Sequence, residues 1–158
     1  MPLAADVYGS VPSEMWHAVE RIVVDCDFDA TVDPQLRASL CRQLRAEVQK
    51  LTSLHVTLAT RADLDPRSGN LVRRQKQLLL KIDARLTGGK DGAQSLLVSV
   101  LPNRGSGRTW EGAWSRPSSV SVAWKGRTPV VGSPVRSLQL LFAGTHNRGR
   151  PPLRSDRY

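Results

Sequence analysis

Asp25, Asp27 and Asp29 alternate with Cys26 and Phe28, a spacing that could begin a calcium loop. Such a loop needs Gly at its sixth position and Glu at its twelfth, where this chain has Ala30 and Leu36. The aspartates therefore read as a charge ladder on one strand face, balanced by Lys81 and Arg85, rather than as a metal site. Cys26 and Cys41 are the only cysteines in the chain. Their positions on adjoining elements suit two small buried thiols first, and as the alternative a disulfide, which needs Cα atoms within about 7 Å. No Cys-x-x-Cys, zinc spacing or Cys with a nearby His occurs, and His17 stands alone, so no metal or other cofactor is expected.

Gly105-Ser106-Gly107-Arg108 has the look of a phosphate loop, but a phosphate loop opens a helix and this one precedes a predicted strand. It reads as a hairpin turn. No Gly-x-Ser-x-Gly or His-Glu-x-x-His is present, so hydrolytic chemistry has no apparatus and a non-enzyme is expected. What remains is a basic and aromatic cluster: Arg104, Arg108, Trp110, Trp114 and Arg116. Arginine beside tryptophan can stack on bases or sugars, or sit at a protein interface; the plainer reading buries the rings and leaves the guanidinium groups in water. A second basic group, Arg148, Arg150, Arg154 and Arg157, lies in the tail around Pro151-Pro152.

These groups must be held by a small set of elements. Ile22, Val24, Cys26 and Phe28 alternate with Val23 and the aspartates, giving a half-buried strand. Asp33-Pro34 then opens a helix, with Leu36, Leu40, Leu44, Val48 and Leu51 on one apolar face. Before the strand, Ser13–Val19 reads as a short helical turn. After the helix, 55–60 reads as a strand and 61–72 as a loop rich in turn residues. Strands follow at 75–87, with Leu78, Leu80, Ile82, Ala84 and Leu86 inward, and at 95–101, with Leu96, Val98 and Val100 inward. A Gly-rich turn at 88–92 joins them. Two more strands are expected at 108–115 and at 120–125, the latter with Val120, Val122 and Trp124 on one side. Ser133-Pro134 starts either a short helix ending at Gly144 or a last strand through Leu138, Leu140 and Phe142.

The fold class expected is α+β: a mostly antiparallel sheet of five or six strands, one long helix packed on one face, and a short second helix near the C-terminus. Residues 1–12 form a lead-in, 13–144 a single domain and 145–158 a basic, Pro- and Arg-rich tail with too little apolar surface to fold alone.

Charge is the strongest compositional feature. The chain carries +9, from 18 Arg and five Lys against 14 acids, and the balance is uneven. Residues 1–33 hold seven acids and Arg21, a net −6, so the remainder is +15. Such a protein attracts an acidic protein partner or a polyanion, whether nucleic acid, anionic lipid or acidic glycan. The longest apolar runs are far below the ~20 residues of a transmembrane helix. The first residues show no basic region followed by an apolar one, so no export signal is visible.

The order strand, helix, strand, meander resembles the periplasmic domain shared by the TolB N-terminal region and the lipoprotein activators of penicillin-binding proteins. The likeness lies in Arg21-Ile-Val-Val-Asp-Cys-Asp-Phe and the following helix, in Leu96–Leu101, in the turn Arg104-Gly105-Ser106-Gly107 and in Thr109-Trp110-Glu111-Gly112. It spans roughly residues 20–125. It implies a non-catalytic, periplasmic or envelope-associated module, lipoprotein-like, that assists complex assembly by docking on a protein partner, and it marks no active-site residue. The reading from residues alone keeps an alternative: a cytoplasmic nucleic-acid-binding module using the Arg/Trp hairpin and the basic tail. The envelope module would dock through the sheet edge, the arginine-rich surface or the tail, and the nucleic-acid module through the 104–127 hairpins and the tail.

Overall fold

Arg21–Phe28 forms β1, with Ile22, Val24 and Phe28 buried on one side. The chain then turns at Asp29, whose side chain accepts the Thr31 amide at 3.1 Å, and enters α1 (Pro34–Gln49). Asp33 caps that helix, accepting the amides of Gln35 at 3.0 Å and Leu36 at 3.3 Å. Leu40, Leu44 and Val48 are fully buried from it, each contributing about 1.5–3 kcal/mol. Leu36 is only half-buried. The fold is given by a computed structural model, which describes residues 13–64, 76–88, 94–104, 116–132 and 134–147.

Because α1 carries the chain back over the sheet, β2 (His55–Leu58) lies parallel to β1, with Arg21 opposite His55. β3 (Gln77–Gly88) is laid down on the other side of β1 and is also parallel to it, Arg21 opposite Gln77. From there the chain meanders through β4 (Gln94–Arg104), β5 (Arg116–Lys125) and β6 (Thr128–Val131), each antiparallel to the last. The order is β2-β1-β3-β4-β5-β6. The sheet is thus mixed, not mostly antiparallel as expected. The reason is the pair of crossovers that flank β1, which local alternation does not encode.

Several boundaries also differ. The 61–72 region opens not as loop but with a single turn of helix, α2 (Arg61–Leu64). Thr60 and Asp63 form a reciprocal cap there, Thr60 N–H donating to Asp63 Oδ2 at 2.9 Å and Asp63 N–H to Thr60 Oγ1 at 3.3 Å. β4 runs past Leu101 to Arg104, placing Pro102 opposite Leu80 beyond Val100–Arg116, the last described pairing with β5. Near the C-terminus the helical alternative forms, as α3 (Arg136–Asn147), and it passes through Gly144 rather than stopping there. Ser137, Leu138, Leu141 and Phe142 form its buried face at spacings of three and four. The strand expected at 108–115, the hairpin tip at 89–93, and Ser133 lie outside the described residues.

One side of the sheet carries the core. Ile22, Val24, Leu78, Leu80, Ile82, Leu96, Val98 and Val100 point to the same face as α1 and α3. The 3₁₀ turn Ser13–Trp16 closes one end, with Met15 fully buried and the Trp16 ring 5.2 Å from Phe142. The sheet curls around α1 so far that this helix reaches both of its edges. At the β2 edge, Arg45 Nη1 donates to Val56 O at 2.9 Å and Val56 N–H donates to Gln49 Oε1 at 3.2 Å. At the β6 edge, Gln43 Nε2 donates to Pro129 O at 2.7 Å and Val131 N–H donates to Gln43 Oε1 at 2.7 Å. These side chains stand in for a neighbouring strand and blunt the edges at those points. The sheet edge expected as a docking surface is therefore partly occupied from within.

Candidate functional site

The two ends of α1 differ in what surrounds them. Its C-terminal half lies against β2. Residues 35–43 of it face the β5–β6 hairpin, whose two-residue turn is made by Gly126, at φ +62°, and Arg127. Between helix and hairpin lies a groove of about 490 Å³. Leu36, Trp124 and Pro129 supply its apolar surface, and Gln35, Ser39 and Arg42 line it from one row of the helix.

Trp124 is 39% exposed, although it lies on the core side of β5 as its alternation with Val120 and Val122 predicts. Its indole N–H donates to Gln94 Oε1 at 2.9 Å, which fixes the ring at the groove wall. Arg42 and Arg127 are exposed at the rim and form no ion pair among the described residues. The one carboxylate in the lining, Asp33, is engaged in capping α1. The groove is therefore a basic-rimmed cleft of mixed polar and apolar lining, with one aromatic wall held by a hydrogen bond.

A second depression of about 460 Å³ lies on the opposite face of the sheet, lined by Asp27, Asp29, Asp83, Arg85, Leu97 and Ser99 among others. Asp25 sits across from Lys81, but Asp27 sits across from Asp83, so the ladder pairs one acid and leaves two like charges opposed. Burial, with Asp27 and Asp83 adding to it, pushes the Asp25 carboxyl above its ordinary range against the pull of Lys81. Asp29 has left the strand and serves the turn. Among the described residues no group of three His, Cys, Asp or Glu converges as metal ligands would.

The other sequence-derived candidates that the structure describes do not meet at the groove. Cys26 and Cys41 are joined, Cα to Cα 6.0 Å, and the bridge pins the end of β1 to the first half of α1. Arg104 turns inward, donating from Nη1 to Met15 O at 2.9 Å, and burial lowers its pKa from the usual guanidinium range. It braces the 3₁₀ turn. Arg116 starts β5 opposite Val100. Arg108, Trp110, Trp114, Arg148, Arg150, Arg154 and Arg157 lie outside the described residues. His17 is exposed. The groove residues Arg42, Trp124 and Arg127 were not legible as a group, since they come from a helix, a strand and a turn far apart in the chain. A tryptophan next to Lys125-Gly126-Arg127 was the local signal, and its alternation with Val120 and Val122 pointed to the core instead.

No protein-family model matches the chain, and no curated protein matches it. Among solved structures, the PelC dodecamer from Paraburkholderia phytofirmans is similar at 17% identity and a TM-score of 0.46, over 80% of this chain and 90% of that one. A leucine-to-methionine variant of it aligns at 13% identity and 0.44, over 80% and 86%. Likeness at these values carries no argument about function.

Proposed function

We propose that this chain is a non-enzymatic assembly or accessory protein of a bacterial cell-envelope complex, docking on a protein partner through a basic surface. The observation that supports this most is the Cys26–Cys41 bond. Disulfides form and persist in oxidising compartments such as the periplasm and are kept reduced in the cytosol. Pinning β1 to α1 by a disulfide therefore suits a protein that works outside the cytoplasm. The resemblance of Arg21–Phe28 and the following helix to periplasmic TolB-type and activator-lipoprotein domains favours the same compartment. No helix among the described residues is long and apolar enough to cross a membrane.

The non-catalytic part of the reading rests on the sequence, which has no Gly-x-Ser-x-Gly or His-Glu-x-x-His, and on the groove beside Trp124. A fixed tryptophan with arginines at its rim is the composition of a protein interface centre. In the nucleic-acid alternative Arg104 would have to serve the 3₁₀ turn and a ligand together. The test is to recover the tagged chain from an envelope fraction with and without nuclease. Stoichiometric recovery of one defined protein, indifferent to nuclease, is the expected result. Recovery of nucleic acid, abolished by nuclease, would overturn the reading.

A further inference from the structure

We infer that the groove between residues 35–42 of α1 and the β5–β6 hairpin is a docking site for an acidic peptide segment of a protein partner. This rests on the proposed role as a docking protein and names the place and the chemistry of the contact. Three features carry it. The first is unbalanced charge: Arg42 and Arg127 flank the groove without an ion-pair partner among the described residues, and Asp33 is held by the helix amides. A guanidinium at such a rim takes a carboxylate in a two-pronged contact that fixes orientation as well as adding attraction.

The second is that the wall is already in place. Trp124 is tied to Gln94, and Pro129 is tied through its carbonyl to Gln43, so the apolar surface is formed before anything binds. A preformed aromatic surface loses little entropy on association. The third is size. At about 490 Å³ the groove takes a few side chains, and it offers one aromatic face. A nucleic-acid strand is held by successive stacking platforms along a longer basic track, which the described residues here do not provide. An acidic residue beside a leucine, proline or aromatic one matches both the rim and the floor.

The test is a selection of displayed random peptides on the intact protein, counter-selected on an R42E/R127E variant. Both arginines are exposed, so the variant should fold, and an unchanged thermal melt checks that. Enrichment of peptides with Asp or Glu next to an apolar residue, binding the variant about tenfold or more weakly, is expected. A W124A variant should weaken the same peptides by a similar factor. Peptides without an acidic bias, or bound equally by R42E/R127E, would overturn the inference. A partner recovered from the envelope fraction equally by wild type and R42E/R127E would overturn this site while leaving the docking role intact. Failure to recover any protein partner, with acidic peptides still selected, would instead overturn the role and leave the groove's chemistry standing.

Discussion

Gln43 and Val131 are joined by a 2.7 Å hydrogen bond from the Val131 amide to the Gln43 side-chain carbonyl, across 88 positions of sequence. The same side chain donates to Pro129 O at 2.7 Å, so one glutamine completes the ladder of the edge strand β6. Replacing it with alanine leaves a backbone donor and acceptor without that partner at a half-buried edge. Q43A should lose about 1–3 kcal/mol in urea unfolding, and the Val131 amide should exchange its hydrogen markedly faster than in wild type. Equal stability and equal protection would show that the edge does not depend on α1.

Ala18, between the 3₁₀ turn and β1, has φ +58°, a conformation that a Cβ disfavours by about 1–2 kcal/mol. Glycine has no Cβ to clash there, though it is more mobile when unfolded. A18G should therefore raise the melting temperature slightly, by the equivalent of up to about 1 kcal/mol. A fall would mean that the chain leaves the turn by a different route.

Asp25 has its carboxyl raised by burial and by Asp27 and Asp83, with Lys81 opposing. A raised folded value means that the native state binds the proton more tightly than the unfolded chain. Its contribution is therefore fully present below the ordinary value of 3.8 and is lost as pH climbs through the raised folded value. D25N should stabilise the protein at neutral pH, and the gain over wild type should shrink as pH drops toward that ordinary value. A D25N variant less stable than wild type at neutral pH would mean that attraction to Lys81 outweighs the burial.

The basic tail gives a separate prediction. α3 continues to Asn147, so a clean truncation starts at 148 and removes Arg148, Arg150, Arg154 and Arg157. That segment has few apolar residues besides Leu153 and Tyr158 and should add little to folding. The truncated protein should melt as the full chain does and bind its partner more weakly, with less dependence on salt. A melting temperature several degrees lower would assign the tail to the fold.

The parts of this fold readable in the sequence were those written in local periodicity. The alternation of Ile22, Val24 and Phe28, the Asp33-Pro34 helix start and the inward faces of β3 and β4 all follow from side-chain direction within one element. The order β2-β1-β3 was not readable, because it depends on which side of β1 the returning chain is laid. β6 was missed for a local reason: Thr128-Pro129-Val130-Val131 is short and carries a proline, which argues against a central strand. At the edge the proline is tolerated, and its carbonyl is the group that Gln43 binds. The groove shares this difficulty, since Arg42, Trp124 and Arg127 meet only once the sheet has curled around α1.

The envelope role turns on the state of two sulfur atoms in the cell. The most direct measurement is thiol trapping: acid-quench cells of the native host, then treat the chain with a mass-adding maleimide before and after reduction. The account predicts no addition before reduction and two afterwards, at Cys26 and Cys41. It also predicts that reduction costs the purified protein about 3 kcal/mol, as expected for a bridge closing a loop of this length. Two additions before reduction, on a protein folded and working in the cell, would contradict the extracytoplasmic assignment.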